Sequence, residues 1–358
     1  MAPTRLRTPL VSVIVRVRND ADTVRRAIES VISQGIGSFE IIAVDCDSRD
    51  RGQRIIDSFA ERDVRIDALH SDSPSLLAAA NLALAHARGT YITFIDASSW
   101  IAPHTLDDLL AFVQDNQLDL ALCGLSVDTY RHDGSVSSKE ITRPTQVFVS
   151  QHEFRSNAWR LLETGQMGTL SGKLLVRDRI ERLGLRLDET TCGELGFMAQ
   201  YMRDAERVGV LGVGAVHVPP TMSQELSQGD FAMLPVRCER HFELMLDLYH
   251  YWGLDGDPAS MDVVRNRHLE RVVACIGKVC GPECTLPAEE KHRIVVELIG
   301  SKHVQLAANA TKPRSMVVSA MALPIKTQNV KLAMGGAAFM TRLFGETAGL
   351  PFSLDLRS

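Results

Sequence analysis

Three apolar runs in the first hundred residues each stop at a polar cluster: Arg18-Asn19 after residues 11–17, Asp45-Cys46-Asp47 after 39–44, and Asp96-Ala97-Ser98 after 91–95. Carboxylates in such places can accept hydrogen bonds from a ligand's N–H groups, or hold a hard divalent cation against phosphate oxygens. Any one of them could simply cap a helix or form a turn. Three ends of this kind in one sheet point to a site. A second candidate centre is the run Cys275, Cys280 and Cys284, with His268 and His292 nearby. Its spacing matches no common structural zinc site, so these cysteines read as helix-packing residues.

The elements that must position these side chains follow from periodicity. Residues 11–17, 39–44, 64–69, 91–95 and 118–122 read as strands. Helical spacing is expected over 22–34 (Val24, Ala27, Ile28, Val31, Ile32), with Asp20 or Asp22 as N-cap. It recurs over 51–62 (Ile55, Ile56, Phe59), 75–87 with Gly89 closing the helix, and 104–115. This alternation predicts right-handed βαβ crossovers and an α/β fold, with a mostly parallel central sheet flanked by helices. Ligands of such sheets sit beyond the carboxyl ends of the strands, where the three clusters fall. Residues 128–149 read as a polar excursion with a hairpin signal at Asp133-Gly134. A helix at 151–162, a glycine-rich loop at 165–172, a strand at 174–176, a helix at 194–203 and a strand at 208–218 follow. From about Pro235 the pattern is helical only: 236–252, 261–279, 287–299 and 330–343, punctuated by Pro258, Pro282, Pro313 and Pro324. Two domains are expected, 1–220 and an all-helical 221–358.

Composition narrows the class. The chain has 358 residues, 45% hydrophobic and 23% charged, with net charge −5, which is ordinary globular usage and calls for no nucleic-acid partner. From Lys302 onward, seven Lys/Arg face two Asp/Glu. That local excess suits an anionic polymer or a peripheral membrane contact, or equally a solvated helical face. No run reaches the roughly 18–20 apolar residues of a membrane span, and the N-terminus has no leader pattern. Seven cysteines, an odd number, suit a reducing compartment, so a cytoplasmic location is expected. The helical region also offers apolar stripes for self-association.

Four segments, in order and together covering roughly residues 9–218, resemble the family 2 glycosyltransferases, whose catalytic domain has the glycosyltransferase A fold. They are PLVSVIVRVRNDADTVRRAIESVISQ, FEIIAVDCDSRD, LLAAANLALAHARGTYITFIDASSWIAP and GKLLVRDRIERLGLRLDETTCGELGF. The resemblance implies that Asp45 accepts a hydrogen bond from the nucleotide base, usually uracil, with Val17 and Asn19 lining the pocket. Asp96 becomes the first carboxylate of a D-x-D element that holds Mg2+ or Mn2+ and the donor ribose. His217 becomes a metal or phosphate contact, and Lys173 faces acceptor or phosphate. Glu194 becomes the base if the alignment runs from Phe197, but not if it runs from Asp188-Glu189.

The sequence also departs from the pattern. Ser98 replaces the second D-x-D carboxylate. Ala80 stands beside Asn81 where an arginine is usual, Cys46 where a second Asp is common, and Arg18 where an aromatic is common. No Q-x-x-R-W element is present, which disfavours a processive synthase. The stretch IKTQNVKLAMGG is similar to members acting on cell-surface polymers. The implied activity is inverting, non-processive transfer from a nucleotide-diphospho-sugar, expected to be a UDP-sugar, to a hydroxyl of a cell-surface polysaccharide, teichoic-acid-like polymer or lipid-linked glycan. The alternative is a catalytically silent relative kept as a binding or scaffold protein.

Overall fold

The strand VSVIVRV is buried at all seven positions, as expected of a strand covered on both faces. It is β1 (Val11–Val17) of a computed structural model that describes residues 8–130, 135–219 and 227–344. The expected turn at Asp133-Gly134, the domain boundary at Pro220 and the side chain of Arg342 lie outside the described residues. The chain continues with α1 (Val24–Ile32), β2 (Phe39–Cys46), α2 (Gly52–Ala60), β3 (Ile66–Ser71), α3 (Leu76–His86), β4 (Tyr91–Asp96), β5 (Trp100–Ile101), α4 (Thr105–Asp115), β6 (Leu120–Tyr130), β7 (Val136–Ile141) and β8 (Gln146–Phe148). Next come α5 (Gln151–Asn157), α6 (Trp159–Glu163), β9 (Lys173–Val176), α7 (Arg177–Arg182), α8 (Gly193–Met202) and β10 (Val208–Val218). Six helices follow: α9 (Gln228–Tyr251), α10 (Pro258–Cys280), α11 (Ala288–Gly300), α12 (Lys302–Ala310), α13 (Met316–Lys326) and α14 (Val330–Phe344).

The chain divides into two units. One comprises residues 1–154, 170–188 and 200–220, and the other 155–169, 189–199 and 221–358. A single cut at residue 220 therefore misses two short segments that go with the helices.

In the first unit the strand order is β3-β2-β1-β4-β9-β6-β10-β5, with β7 on β6 and β8 on β10. The pairs β1–β2, β1–β4, β2–β3 and β6–β10 are parallel. The sheet is thus mixed and mainly parallel, flanked by helices, as expected. The polar excursion is the antiparallel partner of β6, from Leu125↔Ile141 to Tyr130↔Val136.

Several local expectations change. Asp20 does not cap α1: its N-cap is Thr23, with no side-chain bond, and the Asp20 carboxylate instead accepts from the Arg18 N–H at 2.9 Å. Gly89 does not close α3, whose C-cap is Ala87 in extended conformation. It is needed for close passage, since a Cβ there would lie 2.5 Å from the Ser12 nitrogen. Residues 151–162 form two short helices rather than one.

The second unit is helical. Phe231 and Leu234 of α9, Val272 and Ile276 of α10, Val295 of α11, Val304 of α12, Ile325 of α13 and Ala333 of α14 share one core. α9 begins before Pro235 and runs through it, and α13 contains Pro324, so neither proline ends a helix. α12 and α13 were not anticipated. Pro258 behaves as expected of a first-turn proline, with the Asp257 side chain capping α10 through the Ser260 N–H. The cysteines are helix-packing residues: Cys238 and Cys275 Sγ lie 3.1 Å apart inside the core, and Cys284 is buried. Among the described residues no cysteine belongs to a metal-ligating cluster. His268 points away from such a role with cysteine. It stacks on Phe242, and burial, then the charges of Arg271 and His303, push its pKa down to about 3, leaving a neutral ring.

Candidate functional site at the strand ends

β1, β2 and β4 are neighbours, so register decides which side chains meet at their carboxyl ends. Val17 pairs with Asp45, and Arg16 pairs with both Val44 and Asp96. Alternation along a strand therefore puts Val17 and Asp45 on one face and Arg16 and Asp96 on the other. Asp45 is 4% exposed; its Oδ2 accepts from the Ser48 N–H at 3.2 Å, while its Oδ1 is buried without a hydrogen-bond partner. A buried acceptor in that condition is costly unless a ligand donor completes it.

The loops above these strands are laced together. Asn19, in the left-handed region at φ 57°, donates its N–H to Ser48 Oγ at 3.0 Å and accepts from the Arg49 N–H at 2.8 Å. Asp50 accepts from the Ala21 and Gly52 N–H groups, both at 2.8 Å. The exposed Asn19 thus lies at the rim of a cradle whose base is Val17 and Asp45. Cys46, where a second acid is common, is enclosed in the strand, and burial pushes its thiol up to about 12.

Sequence reasoning missed two charged residues here. Arg16 Nε and Nη2 both donate to Asp96 Oδ1, at 2.9 and 2.6 Å, in a pair almost wholly withdrawn from solvent. The signal was available, because an arginine inside an apolar strand needs an anionic partner, and Asp96 ends the neighbouring strand. Asp20 is the second. Burial, then repulsion from Asp96 and Asp50, raises its pKa to about 6 against the hydrogen bond from Arg18.

His217 stands on β10 opposite Trp100 of β5, with the two rings stacked at 3.7 Å. Trp100 packs rather than standing open to a sugar. The His217 Nδ1 lies 3.0 Å from Asp128 Oδ2. Burial opposes the Asp128 charge, but hydrogen bonds from Ser138 and His217 outweigh it and hold the carboxyl below its usual range. A carboxylate behind an imidazole is how metal-binding histidines are oriented, through the other ring nitrogen. Asp96, however, already carries the Arg16 guanidinium, and position 98 offers only a half-buried hydroxyl. The described residues gather no set of three carboxylate, imidazole or thiolate ligands at these strand ends. A cation held at these strand ends would rest on Asp96 and, with His217, on the donor's phosphate oxygens.

The remaining candidates lie elsewhere. Lys173 is 1% exposed on β9. Ala80 is fully buried in α3, and Asn81 clamps the Leu187 backbone, donating to its carbonyl at 2.8 Å and accepting from its N–H at 2.9 Å. Glu194, in the first turn of α8, falls in the second unit. Cys192 and Gly193 before it both take positive φ, 68° and 55°. A Cβ on Gly196 would lie 1.6 Å from the Thr191 carbonyl oxygen, so the turn that presents Glu194 requires glycine there.

Comparison with known proteins agrees with this geometry. The family described as "Glycosyl transferase family 2" matches residues 12–179. The chain is 28% identical over 260 residues to the uncharacterized glycosyltransferase EpsJ of Bacillus subtilis (strain 168), covering 69% of this chain and 72% of that protein. It is 30% identical over 176 residues to the putative glycosyltransferase EpsH of the same organism, 49% of each. Among solved structures, S. aureus TarS in complex with UDP-GlcNAc superposes with a TM-score of 0.62 at 15% identity, over 93% of this chain and 91% of that one. At that identity the likeness is one of fold. The ordered segments, the strand-end site and the matched residues 12–179 together support a family 2 glycosyltransferase domain in this chain.

Proposed function

We propose that the chain transfers a sugar from a nucleotide-diphospho-sugar, with the nucleotide seated at the carboxyl ends of β1, β2 and β4. The observation that carries this reading is the buried, uncompleted Oδ1 of Asp45 beneath the loops tied by Asn19 and Asp50. An imide N–H of uracil supplies the donor that this oxygen lacks, which favours UDP. The TarS structure with UDP-GlcNAc lends support from a protein of the same fold.

In the reaction, the acceptor hydroxyl attacks the anomeric carbon and the bond from that carbon to the diphosphate oxygen breaks. The nucleoside diphosphate leaves, and the hydroxyl proton passes to a carboxylate, for which Glu194 is the candidate. A single displacement of this kind inverts the anomeric centre. Acceptors are hydroxyls of a cell-surface polysaccharide, a teichoic-acid-like polymer or a lipid-linked glycan. Calorimetry with UDP tests the donor site. Asp45→Ala is expected to weaken UDP binding by about 1–3 kcal/mol, the range for a hydrogen bond to a charged group. Equal affinity in wild type and variant would remove Asp45 from the site.

A further inference from the structure

A second cluster of ligand-type side chains lies within the helical unit. One ligand atom from each of Glu239, Glu243 and His303 lies within 4.8 Å of the other two. Glu239 and Glu243 are four residues apart on α9 and so share one face. His303 stands in the first turn of α12, with Nδ1 2.7 Å from Glu239 Oε2. An open depression of about 350 Å3, lined by Glu239, Glu243 and Glu297 among others, gives solvent access to the two carboxylates.

The independent observation is His268 of α10. It is 4% exposed, neither ring nitrogen makes a hydrogen bond, and Nε2 points at Glu239 Oε1 from 3.7 Å. That separation is too long for a hydrogen bond. His268 therefore stands beside the three-residue set, its buried ring facing Glu239 without a hydrogen-bond partner. Phe242 lies against both imidazoles, 4.2 Å from the His268 ring centre and 5.2 Å from that of His303, which limits their movement. The Ser301 hydroxyl donates to Glu239 Oε1 at 2.6 Å, the kind of outer bond that fixes a ligating carboxylate.

We propose that Glu239, Glu243 and His303 bind one divalent first-row transition-metal ion, with water completing its shell, tying α9 to the start of α12 while the buried His268 of α10 faces Glu239. An imidazole with two carboxylates and no thiolate suits Zn2+ and its neighbours rather than Mg2+ or Ca2+. The ion would replace the hydrogen bond between His303 Nδ1 and Glu239 Oε2.

The test uses the full chain without an affinity tag, stripped with EDTA and dialysed, then titrated with Zn2+ in competition with a chromophoric chelator. The expected result is one tight ion per chain, a higher melting temperature on loading, and visible absorption bands of low-symmetry Co2+ when cobalt is used instead. Glu239→Gln and His303→Ala, at partly exposed positions, are each expected to lose at least tenfold in Zn2+ affinity while keeping the wild-type circular dichroism spectrum. His217→Ala is expected to retain full affinity. The proposal is overturned by the absence of saturable binding, by variants that bind within twofold of wild type, or by loss of the ion in His217→Ala alone.

Discussion

Arg16 and Asp96 form an ion pair that neither residue would tolerate losing. Each side chain is at least nine-tenths buried, so removing the guanidinium leaves a carboxylate short of two donated bonds. Arg16→Met is expected to cost about 3–5 kcal/mol in urea unfolding, the usual penalty for breaking a buried pair. The double variant Arg16→Met/Asp96→Asn should recover part of that loss. No recovery would mean that the two residues act separately. Asp20 sets a pH dependence of unusual sign. Its folded pKa is about 6, raised from the ordinary aspartate value, so between about pH 4 and 6 the folded protein holds a proton that the unfolded chain releases. Stability through this group therefore falls as pH rises across that window. The cost of the charged form at pH 7 is roughly 3 kcal/mol. Asp20→Asn keeps an acceptor for the Arg18 N–H and removes the charge. The variant should be more stable than wild type at pH 7, with the gap closing toward pH 4.5; a gap independent of pH contradicts the assignment.

Among elements, the turn leading into α8 is the most constrained. Positive φ at Cys192 and Gly193 brings the Thr191 carbonyl onto the backbone at Gly196. Gly196→Ala is expected to destabilise by about 1–3 kcal/mol, as overpacking does. On the proposed roles of Glu194 as base and of the β1, β2 and β4 ends as nucleotide seat, it should lower transferase turnover while leaving UDP affinity unchanged. Calorimetry beside a turnover assay separates the two effects, and a variant with wild-type turnover and melting temperature removes the constraint. Two helices, α12 and α13, escaped periodicity analysis for an identifiable reason. Both are short, and α13 (MVVSAMALPIK) carries a proline and only one charge. Apolar residues on every side leave no stripe to count. Pro235 and Pro324 were misplaced as boundaries because burial against neighbouring helices outweighs the one backbone hydrogen bond that each removes.

For the whole molecule, the basic C-terminal segment needs reassessment. Arg314 cannot serve as a free cation for an anionic acceptor, since it pairs with Glu163 and with Asp262 at 2.8 Å. Lys312, Lys326 and Lys331 remain exposed, and Met316, Leu323, Leu332 and Phe339 are exposed near them in sequence. If this surface meets an anionic glycan polymer, the attraction must be screened within a Debye length of about 8 Å at physiological salt. Reversing the three lysines to glutamate is expected to abolish salt-sensitive binding to such a polymer and to leave UDP affinity intact. Binding indifferent to salt and to charge reversal makes the segment an ordinary solvated face. No helix among the described residues is long and apolar enough to cross a membrane.

The alternation of apolar runs with amphipathic helices was enough to specify the mainly parallel sheet, because strand burial and helix stripes are written locally at periods of two and 3.6 residues. It also placed Asp45 and Asp96 at strand ends, where the sheet's topology makes sites. Which side chains meet there is not local information. Arg16 finds Asp96 across eighty positions, His217 finds Asp128 across eighty-nine, and both pairings depend on strand order and register. The same holds for His268. By sequence it lies nearest Cys275 and Cys280, yet the crossing of α9, α10 and α12 turns it toward Glu239 and His303. Sequence spacing could name the residues able to do chemistry; only tertiary packing, which brings distant segments within hydrogen-bond reach, could choose their partners.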